Sequence, residues 1–247
     1  MRDVDQALAR HHARRAAGAS SRPSIVPPAP HFTPSAPEAA LLDWPATVLS
    51  LEREHGARFE AFAERLETIR RERGIKALLF TSCHRAEGRT TLVLTLARAL
   101  ARRPGRILLV DGDLSGPMMA RQLNLRPLVG LEDVVEDRKP HDEALIEAPS
   151  DHLTLLPLRT PVARPREFLA SPEWSCLMAK LRREFDLILI DGSPLFAGLN
   201  AAVLHRSVDA AILVHNRALT TERSLLRARE VLEAGGIPLL GLAETFV

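Results

Sequence analysis

The sequence predicts a doubly wound α/β fold with a mostly parallel sheet, because short apolar runs alternate with helical segments along most of the chain. The apolar runs lack the polar alternation of half-exposed strands, which is typical of parallel strands covered on both faces. They occupy 77–80, 107–110, 153–156, 187–190, 210–214 and 238–242. Helical periodicity is found in the segments 91–102, 172–184 and 220–234. Since ligands of such folds bind at the carboxyl ends of the strands, functional residues are expected there.

The first 46 residues differ from the rest, and they are predicted to form an arm that precedes a single domain at 47–247. Residues 1–17 have the spacing of a short helix, with Val4 and Leu8 on one side. The stretch 20–46 then carries seven prolines among small residues, a composition that cannot form a packed core. We therefore expect a short helix followed by a disordered linker.

A charged helix is predicted over 47–73, directly before the first apolar run. Its apolar side chains recur at helical spacing, which indicates that one face packs against the domain. These side chains are Leu51, Phe59, Phe62, Leu66 and Ile69. Gly74 follows at the position where a glycine commonly ends a helix.

The overall composition describes one domain of nearly balanced charge. With 247 residues, 46% of them hydrophobic, the chain can bury one sizeable core. Its formal net charge of +2 does not favour a nucleic-acid partner. Cys83 and Cys176 have neither disulfide-framework nor zinc-site spacing, and no apolar run is long enough to span a membrane. A cytoplasmic protein is therefore expected.

The turn after the first apolar run has the pattern of a phosphate-binding loop. It reads Cys83-His84-Arg85-Ala86-Glu87-Gly88-Arg89-Thr90-Thr91. Gly88, Arg89 and Thr90 occupy the Gly-Lys-[Ser/Thr] positions, where backbone N–H groups, a lysine and a hydroxyl hold phosphates and Mg²⁺. Arg89 replaces the lysine, and Ala86 stands where a glycine is usual. Taken alone, the turn is equally compatible with an ordinary capped helix start.

Carboxylates end two further apolar runs. Asp111 and Asp113 follow one of them, and their spacing lets both side chains point to the same side, where they can serve a metal-bound water or accept a proton. In isolation this pair is better explained as a cap of the following turn. Asp191 ends the run 187–190, as a Walker B carboxylate does beside a metal ion. All three motifs occur in order at strand ends, and this conjunction favours a P-loop nucleotide-binding domain.

This series of motifs resembles the bacterial tyrosine kinases of capsular and exopolysaccharide export, which are relatives of the MinD/ParA ATPases within the P-loop NTPases. The shared features are a phosphate loop with Glu87 before its second glycine, followed by Asp-x-Asp and Asp-x-x-Pro. The resemblance runs from about Glu60 to Leu242 and includes 164–171, where the family pattern is Asn-Pro-x-Glu-Leu-Leu-x-Ser. His84 stands where the partitioning ATPases keep a second lysine, so the DNA-partitioning branch fits less well.

The resemblance implies a role for each motif residue. The residues that would hold ATP or ADP are Ala86, Glu87, Gly88, Arg89, Thr90 and Thr91. Thr90 would ligate Mg²⁺ directly and Asp191 through water, with assistance from Asp111. Asp111 and Asp113 would also accept the proton of an incoming tyrosine hydroxyl, while Arg89 would replace the lysine that neutralises charge during transfer. Arginine is planar and larger, so the replacement is not conservative, and weak binding of both nucleotide and Mg²⁺ is left open.

Several positions depart from the family pattern. Ser115 stands in place of an arginine, Asn200 in place of an aspartate after the Walker B strand, and Glu244 in place of an asparagine that resembles an adenine contact. Ala63 and Leu66 replace two arginines of the ring-forming Glu-x-x-Arg-x-x-Arg pattern, so no stable ring is expected. The 247 residues contain no tyrosine.

The remaining polar residues are expected to have structural positions. His205 and His215 are assigned to the surface or to an edge, and Cys83 is interpreted as a space-filling residue rather than a reactive thiol. Four arginines are expected at the solvated end of a helix. They are Arg98, Arg102, Arg103 and Arg106.

Three functions are compatible with these features. The first is a cytoplasmic nucleotide-binding regulator of exopolysaccharide or capsule production, tyrosine-kinase-like and weak or inactive, which would reach the inner face of the membrane through a polysaccharide chain-length or export protein. The second is an active tyrosine kinase that acts on a partner. The third is a MinD-like ATPase that cycles on a membrane or protein surface. None of the three requires a nucleic acid, and self-association short of a stable ring is compatible with each.

Overall fold

The computed structural model describes residues 41–197 and 201–245. The predicted arm helix, most of the predicted linker and Asn200 lie outside the described residues. Within the described ranges, no helix is long and apolar enough to cross a bilayer.

A sheet of seven strands forms the centre of the domain. The strands are β1 (Ala77–Ser82), β2 (Ile107–Gly112), β3 (Ile146–Ala148), β4 (Leu153–Leu156), β5 (Leu187–Gly192), β6 (Ala210–Asn216) and β7 (Leu239–Thr245). Their order across the sheet is β3-β4-β2-β5-β1-β6-β7. All neighbours are parallel except β3, which pairs antiparallel with β4 at one edge. The predicted mostly parallel sheet is confirmed, and only β3 was missed, because three residues are too few to show a periodicity.

Helices cover both faces of this sheet. One face carries α1 (Ala46–Arg73), α2 (Arg89–Ala101) and α3 (Met119–Gln122), and the other carries α4 (Leu131–Glu136), α5 (Pro165–Ala170), α6 (Pro172–Glu184), α7 (Ala201–Leu204) and α8 (Glu222–Ala234). Successive strand residues point to opposite faces, so Leu78 and Phe80 join the core under α1 and α2, whereas Leu79 joins the other. The predicted doubly wound arrangement is confirmed.

Helix α1 is attached to α2 by ion pairs. Arg98 pairs with Glu52 at 2.9 Å, and Arg102 pairs with Glu60 at 2.9 Å. The guanidinium of Arg98 also lies 4.5 Å from the centroid of the Trp44 ring. The expectation of a solvated helix end was wrong for Arg98 and Arg103, whose side chains are only 20% and 29% exposed. Their acidic partners lie about forty residues earlier in the chain, where no local pattern connects them.

Ala63 and Leu66, which stand in place of the ring-forming arginines, belong to the core of the domain. Ala63 is fully buried and Leu66 is 5% exposed, and both pack in the cluster that α1 shares with α2. Glu60, the acidic residue that the pattern retains, is engaged by Arg102 and Arg103 of the same chain. This face of α1 is therefore used for packing within the domain.

Asp209 connects three elements at the amino ends of the strands. Its Oδ2 accepts hydrogen bonds from the backbone N–H groups of Lys76 at 2.7 Å and Ala77 at 2.8 Å. Arg182, in the last turn of α6, donates to Oδ2 at 3.0 Å and to Oδ1 at 2.9 Å. Burial alone would raise the pKa of this carboxyl, but the bonds from Arg182, Ala77 and Lys76 together lower it below its ordinary value.

Replacing Asp209 by Asn is expected to destabilise the protein at pH 7 and to have a smaller effect near pH 3. A carboxylate with a depressed folded-state pKa contributes stability above its unfolded pKa of about 3.9, and this contribution is lost as the pH falls through the folded value. Urea unfolding of both proteins at the two pH values measures the difference. A difference that stays constant would show that the ionised carboxylate is not its source.

Candidate functional site

The loop between β1 and α2 has the backbone form of an anion-binding turn. Ala86 and Gly88 both adopt left-handed conformations, with φ values of 63° and 76°. Such conformations turn successive N–H groups towards one point, and the N-terminus of α2 adds its own free N–H groups there. Glycine adopts this conformation freely, whereas alanine at position 86 adopts it at a cost of about 1 kcal/mol.

The side chain of Glu87 stabilises the conformation of this loop. Its carboxylate is 1% exposed and accepts a hydrogen bond from the His84 N–H at 2.8 Å and another from the Thr220 hydroxyl. The hydroxyl of Thr245 donates to the Glu87 carbonyl at 2.7 Å. The Glu87 side chain therefore shapes the loop, and any contact with a ligand at this position comes from its backbone.

Two buried carboxylates lie side by side under the loop because β2 and β5 pair in register. Asp111 is opposite Asp191, and Gly112 is opposite Gly192. A Cβ atom at Gly112 would lie 2.7 Å from Cγ2 of Ile190, so the glycine permits the close approach of the two strands. Both carboxylates are almost completely buried.

The guanidinium of Arg89 lies between the carboxylates of Asp191 and Asp113. Nε donates to Oδ1 of Asp191 at 2.7 Å, Nη2 donates to Oδ2 of Asp113 at 3.1 Å, and Nη1 donates to the Ser82 hydroxyl at 3.0 Å. Side chains of a helix lean towards its N-terminus, so the first residue of α2 reaches back beneath the loop. Burial would lower the pKa of this guanidinium, but the charges and hydrogen bonds of Asp191 and Asp113 raise it above its ordinary value.

The other carboxylate oxygens of the site are also engaged. Thr90 donates its hydroxyl to Oδ2 of Asp191 at 2.7 Å, and Ser193 donates to Oδ1 of Asp113 at 3.0 Å. The two oxygens of Asp111 accept the N–H groups of Asp113 at 3.3 Å and Met119 at 3.0 Å. Every oxygen of the three aspartates thus accepts a bond from the protein itself.

Asp111 differs from the other two aspartates because it has no cationic partner among the residues that the structure describes. Burial, followed by the charge of Asp191, raises the pKa of Asp111 to about 8. A carboxyl with such a pKa holds a proton for much of the time at neutral pH, which reduces the repulsion between the paired strand ends.

A cavity of about 850 Å³ opens beside the phosphate loop, between α1 and β7. Gly88, Thr91 and Thr245 line the end next to the loop, and Glu244 lies close by. The rest of the cavity wall is mainly apolar and includes the apolar face predicted for α1. Its lining residues from that stripe are Leu51, Phe59, Phe62, Leu66 and Ile69.

Comparisons with known proteins identify related chains. No family model matches the sequence. The tyrosine-protein kinase CpsD of Streptococcus pneumoniae is 28% identical over 169 residues, which cover 68% of this chain and 74% of CpsD. The tyrosine-protein kinase YwqD of Bacillus subtilis is 27% identical over 170 residues, which cover 69% of this chain and 72% of YwqD. The homologues are bacterial tyrosine-protein kinases.

Solved structures share the fold of this domain. The kinase domain of the Escherichia coli tyrosine kinase ETK is 20% identical, with a TM-score of 0.76 over 85% of this chain and 83% of that domain. The septum site-determining protein MinD of Pyrococcus horikoshii, solved in complex with Mg-ADP, is 24% identical, with a TM-score of 0.56 over 68% of each chain. The fold is therefore that of the tyrosine-kinase domains and of MinD, both of them P-loop proteins.

The structure brings together most of the residues that the kinase resemblance singled out. Arg89, Thr90, Asp111, Asp113 and Asp191 form one hydrogen-bonded cluster beneath the loop. The side chains of Glu87 and Thr91 are not part of this cluster. Glu87 bonds to His84 and Thr220, and Thr91 lines the neighbouring cavity. The predicted residues are therefore neighbours, but their side chains bond chiefly to one another.

Sequence reasoning assigned no role to four polar residues, two of which contact the cluster and two of which hold Glu87. Ser82 and Ser193 end or follow strands β1 and β5, and both contact the Arg89–Asp113 pair. Thr220 and Thr245 come from the ends of the β6 and β7 segments and hold Glu87. The signal that was available is their position, since Ser82, Ser193 and Thr245 end or directly follow a strand and Thr220 lies in the loop after β6.

The structure also gives the positions of three further residues, Cys83, His205 and His215. Cys83 is fully buried, and burial, followed by the charge of Glu87, raises the pKa of its thiol to about 12, as expected of a space-filling residue. His205 is exposed, as predicted. The same prediction was wrong for His215, which is 7% exposed on β6, with an Nδ1 that finds no hydrogen-bond partner among the described residues.

Replacing Ala86 by Gly is expected to raise the free energy of unfolding by about 0.5–1 kcal/mol, because glycine removes the left-handed strain at φ 63°. Chemical denaturation of the two proteins measures the change. Ala61→Gly is a matched control, since Ala61 is exposed within α1 and its replacement should cost about 1 kcal/mol. Equal destabilisation by both changes would show that Ala86 is not strained.

Proposed function

We propose that this protein is a nucleotide-binding regulator of exopolysaccharide or capsule production, kinase-like in architecture and weak or inactive in phosphoryl transfer. The observation that carries this proposal is the position of Arg89. The residue that stands in place of the P-loop lysine bonds to Asp191, Asp113 and Ser82, and its guanidinium is directed beneath the loop.

Nucleotide binding is supported by the backbone of the loop. The left-handed residues Ala86 and Gly88 and the first N–H groups of α2 form a cradle for phosphate from the backbone itself. MinD, which shares the fold, was solved with Mg-ADP. The cavity beside Gly88 and Thr91 offers space for the nucleoside, with Glu244 near the loop in place of the family's asparagine.

Weak transfer is supported by the same cluster. Phosphoryl transfer depends on positioned charges that stabilise the transferring group. Here the Arg89 guanidinium is bonded to two carboxylates, and moving it towards a γ-phosphate would leave Asp113 and Asp191 buried without their cationic partner. Asp113, expected to accept a tyrosine proton, already accepts bonds from Arg89, Arg85 and Ser193.

The partner we propose is a membrane protein that controls polysaccharide chain length or export, which would hold this chain at the inner face of the membrane. This follows from the resemblance to the polysaccharide-export kinases, with which the kinase homologues agree. A nucleic acid is not part of the proposal. Because Ala63 and Leu66 pack inside the domain, self-association would stop short of a stable ring through α1.

Nucleotide binding is tested by titrating the protein with ADP in a calorimeter. Gly88→Ala should weaken binding by about tenfold or more, because a Cβ atom there would strain the loop at φ 76° and lie 3.2 Å from Thr245. Gly74→Ala is the matched control. It introduces the same strain at φ 67°, with no atom within 4 Å, at the end of α1. Equal affinities for both variants would place the ligand away from the loop, and no binding by the wild type would contradict the proposal.

Transfer is tested by incubating the protein with labelled ATP and a candidate membrane partner. The expected result is turnover close to background. No phosphotyrosine should form on the partner, because transfer is weak, and none can form on this chain, because it has no tyrosine. Phosphotyrosine on the partner would favour the active kinase instead. Rapid phosphate release without phosphotyrosine would favour a MinD-like ATPase.

A further inference from the structure

The geometry points to a nucleotide site that works without Mg²⁺, in which Arg89 occupies the carboxylates that would otherwise hold the ion, and the ligand is a di- or triphosphate that carries no metal. This inference rests on the nucleotide binding proposed above and specifies the form of the ligand. Mg²⁺ is the usual companion of nucleotides in this fold, and it requires oxygen ligands in a nearly octahedral arrangement.

The residues present do not fit Mg²⁺ as they are arranged. The ion binds carboxylate oxygens at close to octahedral positions, and a guanidinium that already pairs with those oxygens competes with it. Asp191 uses one oxygen for Arg89 and the other for the Thr90 hydroxyl, at 2.7 Å each. Thr90 only donates in this bond and keeps its lone pairs, so the misfit lies in the carboxylates and not in this hydroxyl. Asp113 is occupied on one oxygen by Arg89 and on the other by Ser193.

The charges of the site are also balanced without a metal. Asp113 and Asp191 carry two negative charges, and the guanidinium of Arg89 lies between them with only 8% of its side chain exposed. Arg85 adds a second positive charge 3.3 Å from Asp113. A divalent cation next to Arg89 would face repulsion at short range in a poorly solvated site, where such repulsion is strong.

A fixed guanidinium also has a geometric advantage over an exchangeable ion. Its planar fork bonds to Asp191, Asp113 and Ser82 at once, so its position is determined by three partners. The charge beneath the loop is therefore present before any ligand arrives. The side chain of Arg85, in the loop itself, is 51% exposed and uses Nη1 for Asp113. Its other N–H groups can donate to the phosphate of a metal-free nucleotide.

The test is a titration of the full chain with ADP and with ATP, once in EDTA and once in excess Mg²⁺. We expect affinity in EDTA to equal or exceed that in Mg²⁺. Binding that weakens by about tenfold or more in EDTA would overturn the inference and leave the proposed nucleotide site standing. Absence of binding under both conditions would overturn the proposed function and this inference with it.

A second measurement uses Mg²⁺ alone and the melting temperature. The wild type should show no rise, because its carboxylates are already paired, and a clear rise would overturn the inference. Arg89→Ala should be stabilised by Mg²⁺, since the change frees oxygens of both Asp113 and Asp191, and an unresponsive variant would contradict the role of Arg89. Arg85→Ala is the control, which removes an arginine from Asp113 but should leave the protein insensitive to Mg²⁺.

If Arg89→Ala does not fold, Arg89→Lys provides the same comparison. An ammonium lacks the fork that reaches three partners, so part of the carboxylate pair should become available to the ion. Its melting temperature should then rise with Mg²⁺, and its affinity for ADP should become higher in Mg²⁺ than in EDTA. Unchanged behaviour in both assays would contradict the inference.

Discussion

The structure depends on one constraint, the need to neutralise three aspartates that parallel strand pairing brings together beneath a loop. The register of β2 and β5 places Asp111 opposite Asp191, and Asp113 follows within the same site. Buried charges of one sign are costly unless they are paired and hydrogen-bonded. Arg89 supplies the pairing charge for Asp113 and Asp191, and the raised pKa of Asp111 keeps that carboxyl protonated for much of the time.

This constraint explains why an arginine in place of the P-loop lysine at position 89 connects several strand ends. A lysine would place a compact charge on a flexible stem, whereas the arginine fork bonds simultaneously to the ends of β1 and β5 and to the residue after β2. The cluster is thereby as much a structural junction as a ligand site. Ser82, Ser193 and Thr90 complete it by satisfying the polar atoms that the guanidinium does not reach.

The sequence predicted the fold, and it predicted that polar residues at the carboxyl ends of the strands lie together, since both follow from local patterns. Continuous apolar runs marked six of the seven strands, and polar residues at their carboxyl ends marked the cluster. The orientation of side chains was not accessible in the same way. That Arg89 points to Asp191, or that Arg98 meets Glu52, is decided by tertiary packing between segments far apart in the chain. His215 was misplaced for the same reason, because burial at a strand end depends on what covers it.

The hydrogen bonds of Glu87 have a consequence for communication across the sheet. Its carboxylate is held by Thr220, which follows β6, and its carbonyl is held by Thr245, at the end of the edge strand β7. Thr245 also lines the cavity in front of α1. A molecule that entered this cavity and displaced the end of β7 would pull directly on the backbone of the loop. The backbone of the loop is thus connected to the edge strand of the sheet as well as to the helix that follows it.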